Sequence, residues 1–322
     1  MTQVKVLPNF RLTNLMPTTL GIISTFVKTL PGIAAPSTLR RVKHEDEQDQ
    51  PHQLPAARPQ SLMFSFLGIY VLERDTAVYS GSVIDVFARL GVSEEAVRST
   101  LTRMVKRNLL ARHRQGKKVY FGLTPHATEV LDDGRRHVWE TGAINRDWDG
   151  TWTLVGFSLP GSERSTRHDL RSQLIWSGFG LLQGGLWIAP GTKDVESVLA
   201  ALGLGDNVTV LQARAFRPTE SADLVRKAFD TDQIAERYRA FLDRWDTAHP
   251  LPSAADDLAR QLLLHTDWLQ LVRQDPRLPA EHLPADWPAI RAETLFHTLA
   301  RRYEPTAAKL AAAVLDELPL RP

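Results

Sequence analysis

Residues 93–120, SEEAVRSTLTRMVKRNLLARHRQGKKVY, carry the most distinctive chemistry of this chain. Eight Lys and Arg lie there (Arg98, Arg103, Lys106, Arg107, Arg112, Arg114, Lys117 and Lys118) against two acids, Glu94 and Glu95. The local excess is therefore six positive charges, while the whole chain carries +2. Cations concentrated in one short segment raise the local potential and attract a polyanion, nucleic acid above all. Side chains suited to base edges are Arg98, Ser99, Thr102 and Arg103, with Lys106 beside them. Arg can make a paired contact with guanine, and Thr can touch a thymine methyl. Arg112, Arg114, Lys117 and Lys118, with Tyr120 closing the segment, would meet phosphates or a minor groove. Contacts of that kind orient a protein and make its binding salt-dependent. Charge alone leaves a second reading open, a merely solvated basic face, and Arg98 could instead pair with Glu94 at helical spacing.

The elements that must position these residues can be read around them. Ser93 can cap a helix whose first turn holds Glu94 and Glu95, facing the positive end of the dipole. Ala96, Leu101, Met104 and Val105 supply a buried stripe, and the cations fall largely on the other side. Two strands follow, residues 111–114 and 117–123, turning at Gln115-Gly116 where glycine frees the backbone. Thr124-Pro125 opens another helix, Thr as cap and Pro at the first position. Upstream, residues 61–72 have helical length, and Ser82 with Asp85 resembles a capping box for a helix that Gly91 ends. Helix, helix, helix, hairpin, helix is the order of a winged helix-turn-helix.

Residues 148–217 change pattern: a strand at 152–159, a helix at 162–176, short strands at 179–183 and 186–189, a helix at 192–202 and a strand at 208–216. The order β-α-β-β-α-β predicts a ferredoxin-like sandwich. From residue 219 onward the sequence reads as helical, broken by prolines around 250–252, 276–279, 284–288 and 305. The expected organisation is α+β and multidomain: a flexible tail at 1–60, too rich in charge, Gln and Pro toward its end to order itself, a winged helix-turn-helix at 61–124, a linker helix at 125–147, a ferredoxin-like domain at 148–218 and an all-α region at 219–322.

Several chemistries are excluded or left without support. The chain has no Cys, which removes disulfides, Cys-ligated zinc and thiol catalysis. No apolar run reaches the roughly 18 residues of a membrane span. Residues 178–183 approach G-x-G-x-x-G but lack the third glycine and follow a helix, and residues 156–160 lack the closing glycine of a nucleophile elbow. His265 and His297 fall in amphipathic helices and read as partly buried, hydrogen-bonded side chains. Trp148, Asp149, Gly150 and Trp152 read as core rings around a turn, or as a hinge or acyl pocket; one Asp is too little for a metal. No cofactor is implied. Arg164, Arg167, Arg171 and Arg214, with Trp176, Trp187 and Trp268, could serve an acyl-coenzyme A, but spacing chooses none of them.

Several separated motifs together resemble the PaaX family, bacterial repressors related to phenylacetic acid catabolism. They are VRSTLTRM with QGKKVY, WDGTWTLVGFSLP, RSQLIWSGFG with GLWIAP, and LLLHTDWLQLVRQDPRLPAEHLPADWP, spread over about residues 61–318 in one order. The resemblance implies an N-terminal winged helix, a central Cas2-like ferredoxin fold and a helical C-terminal domain. It also implies a cytoplasmic, nucleoid-associated homodimer on a palindromic operator in double-stranded DNA. Release by an acyl-coenzyme A effector is implied too, phenylacetyl-coenzyme A in the best-known branch. The function expected is an effector-responsive repressor without enzymatic activity. The alternative is a metal-dependent nuclease or acyl-thioester enzyme that uses the basic helix only to dock on DNA.

Overall fold

The computed structural model describes residues 57–139, 143–158, 164–204, 207–251 and 253–320. Most of the expected tail, residues 1–56, lies outside that set, and its last residues do not: Pro59 and Gln60 open the first helix.

The N-terminal region runs α1 (Pro59–Tyr70), β1 (Thr76–Tyr79), α2 (Ser80–Ala88), α3 (Glu94–Lys106), β2 (Leu110–Gln115), β3 (Lys118–Leu123) and α4 (Pro125–Trp139). Pro59 sits at the first helical position, where a missing N–H costs nothing. Leu62, Met63, Phe64, Ser65, Phe66, Leu67 and Tyr70 of α1 are all buried, because the helix is apolar nearly all round and is enclosed by its neighbours. Ser93 caps α3, its hydroxyl oxygen accepting from the Ala96 N–H at 3.3 Å. Thr124 caps α4 in the same way, accepting from the Ala127 N–H at 3.1 Å. Ser82 behaves differently from the expected cap: α2 begins two residues earlier, at Ser80, and Ser82 is buried inside it. Its hydroxyl accepts the Asp316 N–H at 3.0 Å, a partner 234 residues away. The buried side of α3 is Val97, Thr100, Leu101 and Met104, rotated slightly from the expected stripe, with Ala96 and Val105 only half-buried.

The central region runs β4 (Trp152–Phe157), α5 (Arg164–Trp176), β5 (Gly180–Gln183), β6 (Leu186–Pro190), α6 (Glu196–Leu202) and β7 (Val208–Ala213). Its strands form one antiparallel sheet ordered β5-β6-β4-β7, the expected ferredoxin-like arrangement. Alternation along β4 divides the packing. Val155 joins Leu170, Leu174 and Leu199 of α5 and α6, while Trp152 joins a core built largely from the C-terminal helices.

That C-terminal region comprises α7 (Ser221–Ala228), α8 (Thr231–Trp245), α9 (Asp257–Arg273), a 3-10 turn (Ala280–His282), α10 (Pro288–Val314) and β8 (Glu317–Pro319). The expectation of a wholly helical region needs correcting here. After α10 the chain crosses back and adds β8 antiparallel to β1, completing a sheet ordered β2-β3-β1-β8. The N-terminal core is likewise shared, taking in Leu258 and Leu262 of α9 and Ala307 and Ala311 of α10.

Candidate nucleic-acid interface

Strand register sorts the basic residues between two faces. Arg112 pairs with Phe121 and Arg114 with Val119, while His113 pairs with Tyr120 and Gln115 with Lys118. Successive side chains point to opposite sides of a pleated strand, so Arg112 and Arg114 share the face of Val119 and Phe121. That face and α3 enclose a groove of about 420 Å³, lined among others by Arg98 and Thr102 from the helix and Arg112 and Arg114 from the hairpin. Phe121 and Leu101 belong to the core beneath it, and the Arg112 guanidinium lies 5.8 Å from the Phe121 ring centre.

Each helical cation has a local partner. Arg98 makes a 2.6 Å ion pair with Glu94, with both side chains more than half exposed. A pair of this kind contributes roughly 0.3–0.5 kcal/mol, while a bidentate contact to a base is worth about 1–3 kcal/mol. The local pair is therefore the weaker of the two and can be exchanged. Arg103 donates to the hydroxyls of Ser99 at 3.2 Å and Thr100 at 3.0 Å, which holds its guanidinium along the helix. Thr102 donates its hydroxyl proton to the Arg98 carbonyl at 2.8 Å. Ser99, Lys106 and Lys117 are exposed, Lys117 in the hairpin turn beside Gly116, whose φ of 60° suits glycine.

The remaining two residues of the expected set lie on the other side of the sheet. Lys118 donates to Asp316 at 2.6 Å and sits 5.0 Å from the Tyr79 ring centre. Tyr120 is 3% exposed, and its hydroxyl donates to the same carboxylate at 3.2 Å. The hydrogen bond from Lys118 is the main cause that holds Asp316 below the usual carboxylate range, and the same bond raises the Lys118 ammonium. Sequence reasoning gave no weight to Asp316, because nothing local to residues 315–320 shows that they join a strand 240 residues upstream.

The other constellations resolve simply. Asp149 accepts the Thr151 N–H at 2.9 Å, Trp148 donates to the Thr151 carbonyl at 2.7 Å and Gly150 has φ 83°, so the segment is a turn with Trp152 buried below it. Hydrogen bonds from Thr151 lower the Asp149 carboxyl. Among the described residues no group of three or more His, Asp and Glu side chains converges as metal ligands would. The proposed acyl-coenzyme A residues are scattered: Trp187 lies in the central core, Trp268 in the C-terminal one, and Trp176 against Arg273. No described helix is long and apolar enough to cross a membrane.

Comparison with known proteins agrees with this architecture along nearly its whole length. Residues 58–127 match the family described as PaaX-like protein, residues 145–225 the PaaX protein central Cas2-like domain, and residues 229–313 the PaaX-like protein C-terminal domain. The chain belongs to the PaaX family. A relative, the transcriptional repressor PaaX of Escherichia coli K12, is 30% identical over 259 residues, covering 77% of this chain and 81% of the relative. That relative is a regulator, not an enzyme. The fold recurs in the uncharacterized protein Rv0674 of Mycobacterium tuberculosis, with a TM-score of 0.54 and 24% identity over 80% of this chain and 99% of that one.

Proposed function

We propose that this chain is an effector-responsive transcriptional repressor that binds operator DNA through the groove between α3 and the β2–β3 hairpin. In this reading residues 76–123 are a winged helix-turn-helix, with α3 as reader and the hairpin as wing. The observation that carries it is the convergence of Arg98, Thr102, Arg112 and Arg114 on one groove, in a chain whose relative is a transcriptional repressor. An α-helix of 13 residues is about 20 Å long and fits the major groove, about 12 Å wide. Base edges would be read by Arg98, Ser99, Thr102 and Arg103. Phosphates would be met by Lys106, Arg112, Arg114 and Lys117.

Two copies related by a two-fold axis would place two reader helices on a palindromic site, about one helical turn apart. Release would be a population shift: an acyl-coenzyme A, phenylacetyl-coenzyme A or a related thioester, binds better to a dimer whose helices no longer match adjacent grooves. β8 supplies a route for such a change, since α10 leads into it and Asp316 touches Lys118, Tyr120 and Ser82. A cytoplasmic, nucleoid-associated protein follows from the same reading. The test is fluorescence anisotropy with the duplex upstream of the gene and a scrambled duplex of equal length. Tighter binding to the first, at fixed salt, supports specific repression; equal affinity contradicts it.

A further inference from the structure

A second hollow lies between α1, α4 and α9, away from the basic groove. It encloses about 60 Å³, lined by apolar side chains including Phe64, Leu131 and Leu269, and by Trp139 at 43% exposure. A water needs roughly 10–15 Å³ by this measure, so the pocket has space for about four waters, roughly that of one six-membered ring.

Two observations mark it as built for an occupant. Gly68 and Gly134 line it from the interiors of α1 and α4, where glycine costs about 1 kcal/mol relative to Ala. Tight packing does not require them: a Cβ at Gly134 would meet nothing within 4 Å, and one at Gly68 only the Leu131 Cδ2 at 3.8 Å. Their missing side chains leave the space open. The second observation is His265, which also lines the pocket and is 9% exposed. Among the described residues it has ring contacts, 5.6 Å to Trp139 and 5.2 Å to Phe296, but no hydrogen bond, unlike the hydrogen-bonded histidine expected from the sequence. Burial lowers it to about 4, so at neutral pH it is an uncharged imidazole with one donor and one acceptor. Such a group, buried and unpaired, costs free energy until something bonds to it.

We propose that this pocket is a small-molecule site for a flat aromatic ring bearing a carbonyl, with the ring among Phe64, Leu131 and Leu269 and the carbonyl accepting from His265. Arg135 at the mouth, paired with Asp132 at 2.7 Å, offers a cation to the anionic remainder of a longer ligand. Identifying that ligand as the effector rests on the repressor reading above. The placement suits the role, because α4 follows directly from the wing strand β3 while α9 belongs to the C-terminal region. An occupant would touch both.

The test uses the full chain and two probes, phenylacetamide and phenylacetyl-coenzyme A, titrated by calorimetry into wild type, Gly134→Leu and His265→Phe. Gly134→Leu fills the space with a better helix former, so its Tm should equal or exceed that of wild type. Its affinity for both probes should fall at least tenfold, with unchanged affinity for the operator duplex. His265→Phe should weaken phenylacetamide but leave toluene, which has no carbonyl, as tightly bound as in wild type. Wild-type affinity in a stably folded Gly134→Leu, or no saturable binding of either probe to wild type, overturns the proposal. Failure of the repressor reading shows elsewhere, as equal affinity of wild type for operator and scrambled duplex.

Discussion

The groove beside α3 and the pocket beside α4 lie in one bundle and solve opposite problems. The groove is wide, open and lined by four groups that carry charge or a hydroxyl; the pocket has a seventh of its volume, an aromatic wall and a histidine that burial keeps neutral. Charge works at long range and tolerates water, so a reader of phosphates stays exposed. Recognition of a ring needs close contact and a dry wall, which only packed helices supply. The two are separable by experiment, and each change below should act on one and spare the other.

The largest effect is expected at the pocket. Folded His265 takes a proton only near pH 4, while in the unfolded chain it does so near its ordinary 6.5. Between those values the unfolded state binds more protons, so this group's contribution to stability falls as pH falls from about 6.5 to 4. The loss is on the order of 3 kcal/mol. Asp267, raised to about 6 chiefly by burial, works in the opposite sense: its contribution is present at low pH and lost as pH rises from about 4 to 6. Comparing urea unfolding of wild type and His265→Phe from pH 7 to 4 cancels Asp267 and leaves the histidine. Wild type should lose stability relative to the variant on acidification; parallel curves would sink the claim of a dry, unpaired imidazole.

The next effect belongs to the groove. Arg98→Ala should reduce the preference for operator over scrambled duplex by about 2 kcal/mol, the middle of the range for a bidentate base contact, with phenylacetamide binding untouched. Band-shift titration reads both duplexes, and a uniform loss on the two would make Arg98 a phosphate contact instead. Smaller again is Asp316→Asn, which removes the charged acceptor shared by Lys118 and Tyr120. A loss of about 1 kcal/mol in stability is expected from thermal unfolding. The smallest is Glu94→Ala, which frees Arg98 and should tighten DNA binding by roughly 0.3–0.5 kcal/mol. A weakening would mean that Glu94 holds Arg98 in its reading position.

The same contrast explains what could be read from the sequence. The groove is assembled within residues 80–121, from a helix, a hairpin and caps at Ser93 and Thr124 that are all local signals. The ferredoxin-like order was equally legible, since alternating strands and helices follow one another in register. The pocket joins residues near 65, 134 and 265, and no spacing rule connects them. Distance along the chain defeated three further readings for the same reason. Ser82 bonds to Asp316, β8 returns to β1, and Tyr120 is buried under a carboxylate from beyond α10. The division of cations between two sheet faces depended on register, which one residue of slip would reverse.

That division is the centre of the account, and charge-matched substitutions test it directly. Arg114→Ala and Lys118→Ala each remove one positive charge from the same hairpin, on strands that pair with each other. Anisotropy titration with the operator duplex at fixed salt compares them. The account predicts at least a fivefold loss for Arg114→Ala and less than a twofold loss for Lys118→Ala. Equal losses, or a larger loss for Lys118→Ala, would show that net charge alone, or the opposite face of the sheet, meets the DNA.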